Sequence, residues 1–97
     1  MNVSEQGLAI NRRFFLALDM LRQKRILRGK KTFATKHGIN PWNIFMAQRE
    51  PEKHFINVEW LSFLVTDYGI SAEYLLTGVG NVFKDSKLNV GTSDKGI

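Results

Sequence analysis

The side chains that most often perform covalent or acid–base chemistry are few in this sequence and stand apart. There is no cysteine, so neither a disulfide framework nor thiolate metal ligation is possible. His37 and His54 lack a cluster of further ligands, and we therefore expect no metal site. Nothing pairs Glu59, Asp67 and Glu73 for general acid–base work. We expect the protein not to be an enzyme and to need no cofactor.

Recognition of a polyanion has better support. Residues 12–53 contain eleven lysines and arginines against three acidic residues, whereas residues 54–97 contain three lysines against five acidic residues. A surface selected only for solubility would mix the two signs, so the first half indicates an anionic partner such as nucleic acid. Part of this charge forms one cluster, Arg22, Lys24, Arg25, Arg28, Lys30 and Lys31. These cations either line a phosphate groove or simply suit the end of a helix, whose dipole favours positive charge.

Helices are needed to position these cations, and the same opening signal occurs four times. A small polar residue, with an apolar residue before it and another four places after it, predicts an N-cap and a hydrophobic staple. The four predicted caps are Asn11, Asn40, Asn57 and Ser71. The C-terminal ends of helices are predicted from Pro51 and from the glycines Gly29, Gly38, Gly69 and Gly78. Together these signals predict five helices and no strand, at about residues 11–27, 30–37, 41–49, 58–68 and 72–77.

The predicted fold is therefore all-α and consists of one domain, because 97 residues are too few for two. We divide the chain into an N-terminal arm (1–10), a helical domain (11–83) and a flexible C-terminal tail (84–97). The predicted core comprises Phe14, Leu18, Leu21, Phe33, Ala34, Ile39, Ile44, Ala47, Leu61, Leu64, Val65, Leu75 and Leu76. The apolar runs are too short to span a bilayer, and we expect a cytoplasmic protein with no membrane partner.

Residues 30–49 are the most informative segment and predict a short helix, a tight turn and a second short helix. Two helices that cross closely need a small residue at the crossing, which Ala34 supplies. The turn needs a residue free to adopt positive φ, which Gly38 supplies. Apolar residues then hold the pair from inside: Ile39, Ile44 and Ala47. This arrangement leaves the start and outer face of the second helix exposed, as insertion into a DNA major groove requires.

These features resemble the lambda-repressor-like, Xre-type helix-turn-helix family of phage-repressor-like transcriptional regulators. The resemblance rests on four residues at that family's spacing, Ala34, Gly38, Ile39 and Ile44. The run from Ile70 to Phe83 (ISAEYLLTGVGNVF) is similar to the aromatic-Leu-Leu-Thr-Gly-x-Gly-x-x-Phe ending of many phage-repressor-type domains. The resemblance covers about residues 11–83. It implies a five-helix DNA-binding domain, with the helix-turn-helix formed by helices 2 and 3.

The resemblance also implies which residues meet double-stranded DNA. The base-reading positions would be Pro41, Trp42, Phe45 and Met46. Residues placed to touch the DNA backbone or nearby base edges would be Lys30, Lys31, Asn40, Asn43 and Arg49. Members of the family usually carry Gln, Ser, Thr or Lys at the reading positions, where donors and acceptors can address base edges. The proline and three large apolar groups found here depart from that pattern.

Three interpretations of this apolar face are open. Trp42 or Phe45 packs back onto helix 1 or the 50–56 loop and belongs to the core. Alternatively, the face contacts thymine methyl groups and excludes water, supported by phosphate contacts. In the third interpretation the same fold binds another protein, as an antitoxin-like or anti-repressor component does.

Family members usually bind DNA as two-fold dimers, so the resemblance also implies a homodimer and no small-molecule substrate. Any dimer contact is expected in helix 5 and the segment 75–83, and the candidate residues are Tyr74, Val79, Val82 and Phe83.

Overall fold

The computed structural model describes residues 4–84, and this part of the chain is almost entirely helical. Five α-helices follow one another: α1 (Glu5–Gln23), α2 (Lys30–Lys36), α3 (Pro41–Arg49), α4 (Val58–Tyr68) and α5 (Ala72–Thr77). Extended pairing within these residues is limited to a single antiparallel bridge between Ile70 and Phe83. The all-α prediction is confirmed. None of the five described helices has the length and apolar character needed to cross a membrane.

Helix α1 begins at Glu5, six residues earlier than predicted. Its N-cap is Ser4, whose Oγ accepts a hydrogen bond from the Gly7 N–H at 3.1 Å. Asn11 is therefore not a cap. It is buried inside the helix, and its Nδ2 donates to the Ala47 carbonyl at 3.3 Å. Residues 5–10, which we assigned to an N-terminal arm, are helical. Residues 1–3 of that arm and 85–97 of the predicted tail lie outside the described residues.

Helix α1 ends at Gln23 rather than near residue 27. The left-handed conformation that closes it is adopted by Arg25, with φ 62°, and not by the predicted glycine. The next N–H, from Ile26, donates to the Leu21 carbonyl at 3.0 Å, which is the bond of a Schellman cap. Gly29 is extended, with φ 161°, and immediately precedes α2. The prediction that Gly29 ends α1 was wrong, because the helix already ends at Gln23 and is closed by the left-handed residue Arg25.

The other predicted helix boundaries agree with the structure to within one residue. Asn40, Asn57 and Ser71 each cap a helix, and their side-chain oxygens accept the N–H of Trp42, Glu59 and Tyr74 at 2.9, 3.0 and 3.1 Å. Pro41 occupies the first turn of α3, where its missing N–H leaves no hydrogen bond unmade. Gly38, Gly69 and Gly78 adopt φ of 71°, 71° and 81°, as their predicted roles at helix ends require.

The core lies where α1 packs against α3, α4 and α5. Its fully buried side chains include most of those predicted, among them Phe14, Leu18, Phe33 and Ile44, whereas Ile39, Leu61 and Val65 are only partly buried. The prediction for Leu76 was wrong, because this side chain is 54% exposed. Five buried hydrophobic residues had not been predicted: Phe15, Ala17, Leu27, Trp60 and Ile70.

An aromatic cluster joins α2 to α4. The Phe33 ring lies 5.9 Å from Phe14 and 5.9 Å from Tyr68, measured between centroids. His37, which follows the last residue of α2, stacks on Phe63 at 4.4 Å. Its Nε2 lies 3.0 Å from the Tyr68 hydroxyl, within hydrogen-bonding distance. These contacts hold the end of α2, and with it the turn that leads into α3.

Candidate nucleic-acid interface

Helix α3 is fixed from both its start and its inner face. Its first turn is capped by Asn40 and begins with Pro41. Ile44 and Ala47 are fully buried against the rest of the core. The turn before α3 is closed by a bond from the Ile39 N–H to the Ala34 carbonyl at 2.8 Å. The opposite face of α3 is consequently held in one orientation towards the outside.

That outer face combines aromatic and polar side chains. Trp42 is 55% exposed and Phe45 is 43% exposed. Asn43 and Arg49 are also exposed, whereas Pro41 and Met46 are half-buried. The interpretation that Trp42 or Phe45 belongs to the core is therefore wrong. One part of it holds: the Trp42 ring meets His54 of the 50–56 loop edge-on, at 5.3 Å between centroids.

Lys30 connects α2 to this outer face. Its Nζ donates a hydrogen bond to Oε1 of Gln48 and lies 5.5 Å from the centroid of the Phe45 ring. A cation over an aromatic ring is attracted by the negative face of the ring. Lys31 is exposed and forms no ion pair within residues 4–84. The outer face of α3 therefore has the cation of Lys30 at its edge, and the exposed Lys31 follows it in α2.

Two residues of this surface, Gln48 and His54, had not been predicted from the sequence. Gln48 follows Phe45 by three positions, and helical spacing alone would have placed both on one face. His54 lies in the loop between α3 and α4, where no periodic signal exists. Among the predicted DNA-contacting residues, Asn40 already uses one of its side-chain groups within the protein, because its Oδ1 caps α3. Its side-chain Nδ2 is the group left to meet a partner.

The loop between α1 and α2 extends the positive surface. Arg22, Arg25 and Arg28 line one concavity of about 460 Å³. Arg22 also donates to Asp19 at 2.8 Å, and hydrogen bonds from Arg22 and Gln23 lower the pKa of Asp19 from its ordinary value of 3.8. Asp19 is thus charged at neutral pH and offsets one of these cations.

A second and different surface lies between α4 and α5. It is a groove of about 290 Å³ whose lining residues are all uncharged: Val58, Leu61, Ser62, Val65, Thr66, Ala72, Leu75 and Leu76. Val58 is 78% exposed at its edge. The predicted dimer residues lie apart from this groove. Tyr74, Val82 and Phe83 are partly buried against the core, and among the four only Val79 is exposed.

Comparison with known proteins returns no family model, no curated protein and no solved structure that matches this chain at a significant level.

Proposed function

We propose that the protein is a DNA-binding transcriptional regulator of the lambda-repressor-like, helix-turn-helix type, in which α3 enters the major groove. The observation that carries the proposal is the outer face of α3, exposed and rigidly held beside a cluster of cations. An anionic groove-bearing partner accounts for both properties together, because phosphates attract the cations while base edges meet the helix.

The dimensions of α3 fit this role. The helix has nine residues, and an α-helix with its side chains is about 10–12 Å across. The major groove of B-DNA is about 12 Å wide and admits one α-helix. In helix-turn-helix proteins the first residues of the second helix contact the bases. In this chain those residues are Pro41, Trp42 and Asn43, and Asn43 is exposed.

The composition of the face suggests how it would read DNA. Trp42, Phe45 and Met46 offer apolar surface, which suits contact with the methyl group of thymine. Asn43 supplies both a donor and an acceptor, the combination that pairs with the major-groove edge of adenine. Arg49 and Lys31 would contact phosphates. We infer a preference for sites rich in A·T pairs.

A second candidate function is protein binding through the same face, as in an antitoxin-like or anti-repressor component. The observation that favours it is the exposure of Trp42 and Phe45, since aromatic side chains are enriched at protein interfaces. The two functions differ in their response to salt. Several phosphate contacts make affinity fall steeply with salt concentration, whereas an apolar protein interface responds little.

The test is selection of bound fragments from random duplex DNA, followed by titration of the selected duplex at several salt concentrations. We expect one sequence to be enriched, and its affinity to fall at least about tenfold between 50 and 200 mM salt. If no sequence is enriched and binding is flat with salt, the protein-binding function is the better account.

Two variants assign the roles of individual residues. Replacing Lys30 and Lys31 by alanine should weaken binding to all sequences alike and make the salt dependence shallower. Trp42→Ala should change the preferred sequence more than the affinity for random DNA. An unfolded Trp42→Ala protein would contradict this role, because a side chain that is 55% exposed should not be needed for folding.

We further propose that two copies associate through the α4–α5 groove when they bind DNA. The groove is uncharged, which suits a self-complementary contact across a two-fold axis. All of its lining residues belong to α4 and α5 and none to α2 or α3, so that both surfaces can be occupied together.

A further inference from the structure

The segment from the last turn of α1 to the first turn of α2 is rich in cations. Residues 22–31 contain six lysines and arginines and no acidic residue. We call residues 22–28, the end of α1 and most of the loop that follows it, the arginine loop. Its three arginine side chains converge on the one concavity of about 460 Å³, together with Ile26 and Leu27. Exposed guanidinium groups around one concavity attract anions, so the composition of this concavity points to an anionic ligand.

The backbone of the arginine loop is also unusual. Arg25 has φ 62°, the left-handed conformation, and occupies the capping position at which glycine is common. Any residue with a β-carbon is disfavoured there. An arginine in this position keeps a guanidinium at the rim of the concavity at the expense of backbone strain. Strained residues of this kind concentrate at sites that clamp ligands.

Two of the three arginines are not engaged by acidic residues. Arg22 is paired with Asp19. Arg25 and Arg28 form no ion pair with any residue in the part of the chain that the structure describes, 4–84. Both side chains are exposed. Their guanidinium groups are therefore available to form bidentate hydrogen bonds with a phosphate.

The arginine loop adjoins the outer face of α3. Arg22 lines the large concavity and also a narrower groove of about 150 Å³, shared with Lys30 and Gln48. Lys30 in turn lies over the Phe45 ring of α3. The smaller groove is also lined by Asp19, whose charge Arg22 offsets, so that Arg22 and Lys30 connect the outer face of α3 with the loop.

We propose that Arg25 and Arg28 form a phosphate-binding site, occupied by a backbone phosphate that flanks the duplex segment held by α3. This inference rests on the proposed function. It adds a contact outside the α2–α3 pair and predicts a longer footprint on DNA than these two helices alone would cover.

The decisive variant is Arg25→Gly, because its effects on folding and on binding should have opposite signs. Glycine relieves the left-handed strain, so the melting temperature should rise by a few degrees. Loss of one phosphate contact should at the same time lower the slope of log affinity against log salt by about 0.9. Adding Arg28→Gln should bring the total change of slope to about 1.8. The control is Lys36→Gln, which removes one exposed cation that lies over Tyr68, near α4, and should change the slope little.

The inference is overturned if the Arg25→Gly and Arg28→Gln variants have the same salt slope as the Lys36→Gln protein while wild type binds DNA. If wild type binds no duplex DNA, the proposed function fails, and titration with inorganic pyrophosphate tests the phosphate site separately. Shifts in the Nε–H resonances of Arg25 and Arg28 would then support the site, and their absence would overturn it.

Discussion

The outer face of α3 and the α4–α5 groove both expose apolar side chains, but they differ in what surrounds them. Trp42 and Phe45 lie beside Lys30, Gln48 and the capped start of a helix. The α4–α5 groove, by contrast, is lined by no charged residue. The neighbours of an apolar patch indicate its partner better than the patch itself does. Cations and amides around aromatic rings suit DNA, whereas an uncharged groove suits another protein surface.

The same division appears in the distribution of charge along the chain. The excess of cations falls in residues 12–53, which supply most of α1 and all of α2 and α3. Helices α4 and α5 carry acidic residues in their first turns, Glu59 and Glu73. A duplex approaching this molecule would be attracted to one side and repelled weakly by the other. If the protein binds DNA as proposed, this charge distribution would orient it before any specific contact forms.

The largest expected effect is on the free energy of unfolding and concerns the packing of α2 against α1 and α4. Phe33 is fully buried and packs against rings from α1 and α4, so Phe33→Ala should lower the free energy of unfolding by about 3–5 kcal/mol. The matched control is Phe55→Ala, since Phe55 is 50% exposed. Urea unfolding of both variants measures the difference. Equal losses in the two variants would mean that the aromatic cluster does not join α2 to α4.

The next prediction separates the two surfaces by function. Leu76→Asp places a charge at the α4–α5 groove and should weaken self-association at least tenfold, about 1.4 kcal/mol. Affinity for a duplex that carries a single half-site should not change. Sedimentation velocity and DNA titration measure the two quantities, with Asn81→Asp as an exposed control of the same charge change. Loss of half-site binding in Leu76→Asp would contradict the assignment of separate roles.

A smaller effect is expected from the two asparagine caps, which form a matched pair. Asn40 caps α3 and Asn57 caps α4 through the same side-chain bond. Replacing either residue by alanine should lower stability by about 1 kcal/mol. Under the proposed function, only Asn40→Ala should also weaken DNA binding, because α3 and not α4 is proposed to enter the major groove of DNA. Thermal unfolding and DNA titration of both variants test this, and equal binding losses would argue against it.

The smallest effect concerns alkaline pH. Burial, and then the negative charge of Asp67, raise the pKa of Tyr68 above its ordinary value of 10.0. Because the folded state favours the neutral phenol, this contribution to stability is present below pH 10 and is lost as the pH rises through the folded-state pKa. Phenolate absorbance, measured as the pH is raised, should show one tyrosine whose pKa lies above the ordinary value. Tyr68→Phe should remove that titration, and Tyr74→Phe should leave it in place.

Local signals in the sequence were sufficient for α3, α4 and α5. Their starts depend on one cap residue and one apolar pair, all within six positions, so that Asn40, Asn57 and Ser71 could be recognised without the fold. The start of α1 was missed because Asn11 carries the same local pattern as these caps. What makes Asn11 acceptable inside a helix is the Ala47 carbonyl, 36 residues away.

The composition of the candidate interface was predictable, but its contacts were not. Helical spacing placed Trp42, Phe45 and Met46 on one face, and the structure leaves the two aromatic rings exposed there. The contacts of Lys30 with Gln48 and of Trp42 with His54 join segments whose relative positions depend on packing. Similarly, nothing in the sequence around Arg25 predicts a left-handed residue, since glycine follows at position 29.

The central claim is that DNA meets the α2–α3 side of the molecule and not the α4–α5 side. The most direct measurement is the change in backbone amide resonances during titration with a selected duplex at low salt. We expect shifts at Lys31, Asn43 and Arg49, with the amides of Val58 and Leu76 unchanged at protein concentrations where the chain is monomeric. Shifts confined to α4 and α5, or no shifts at all, would contradict it.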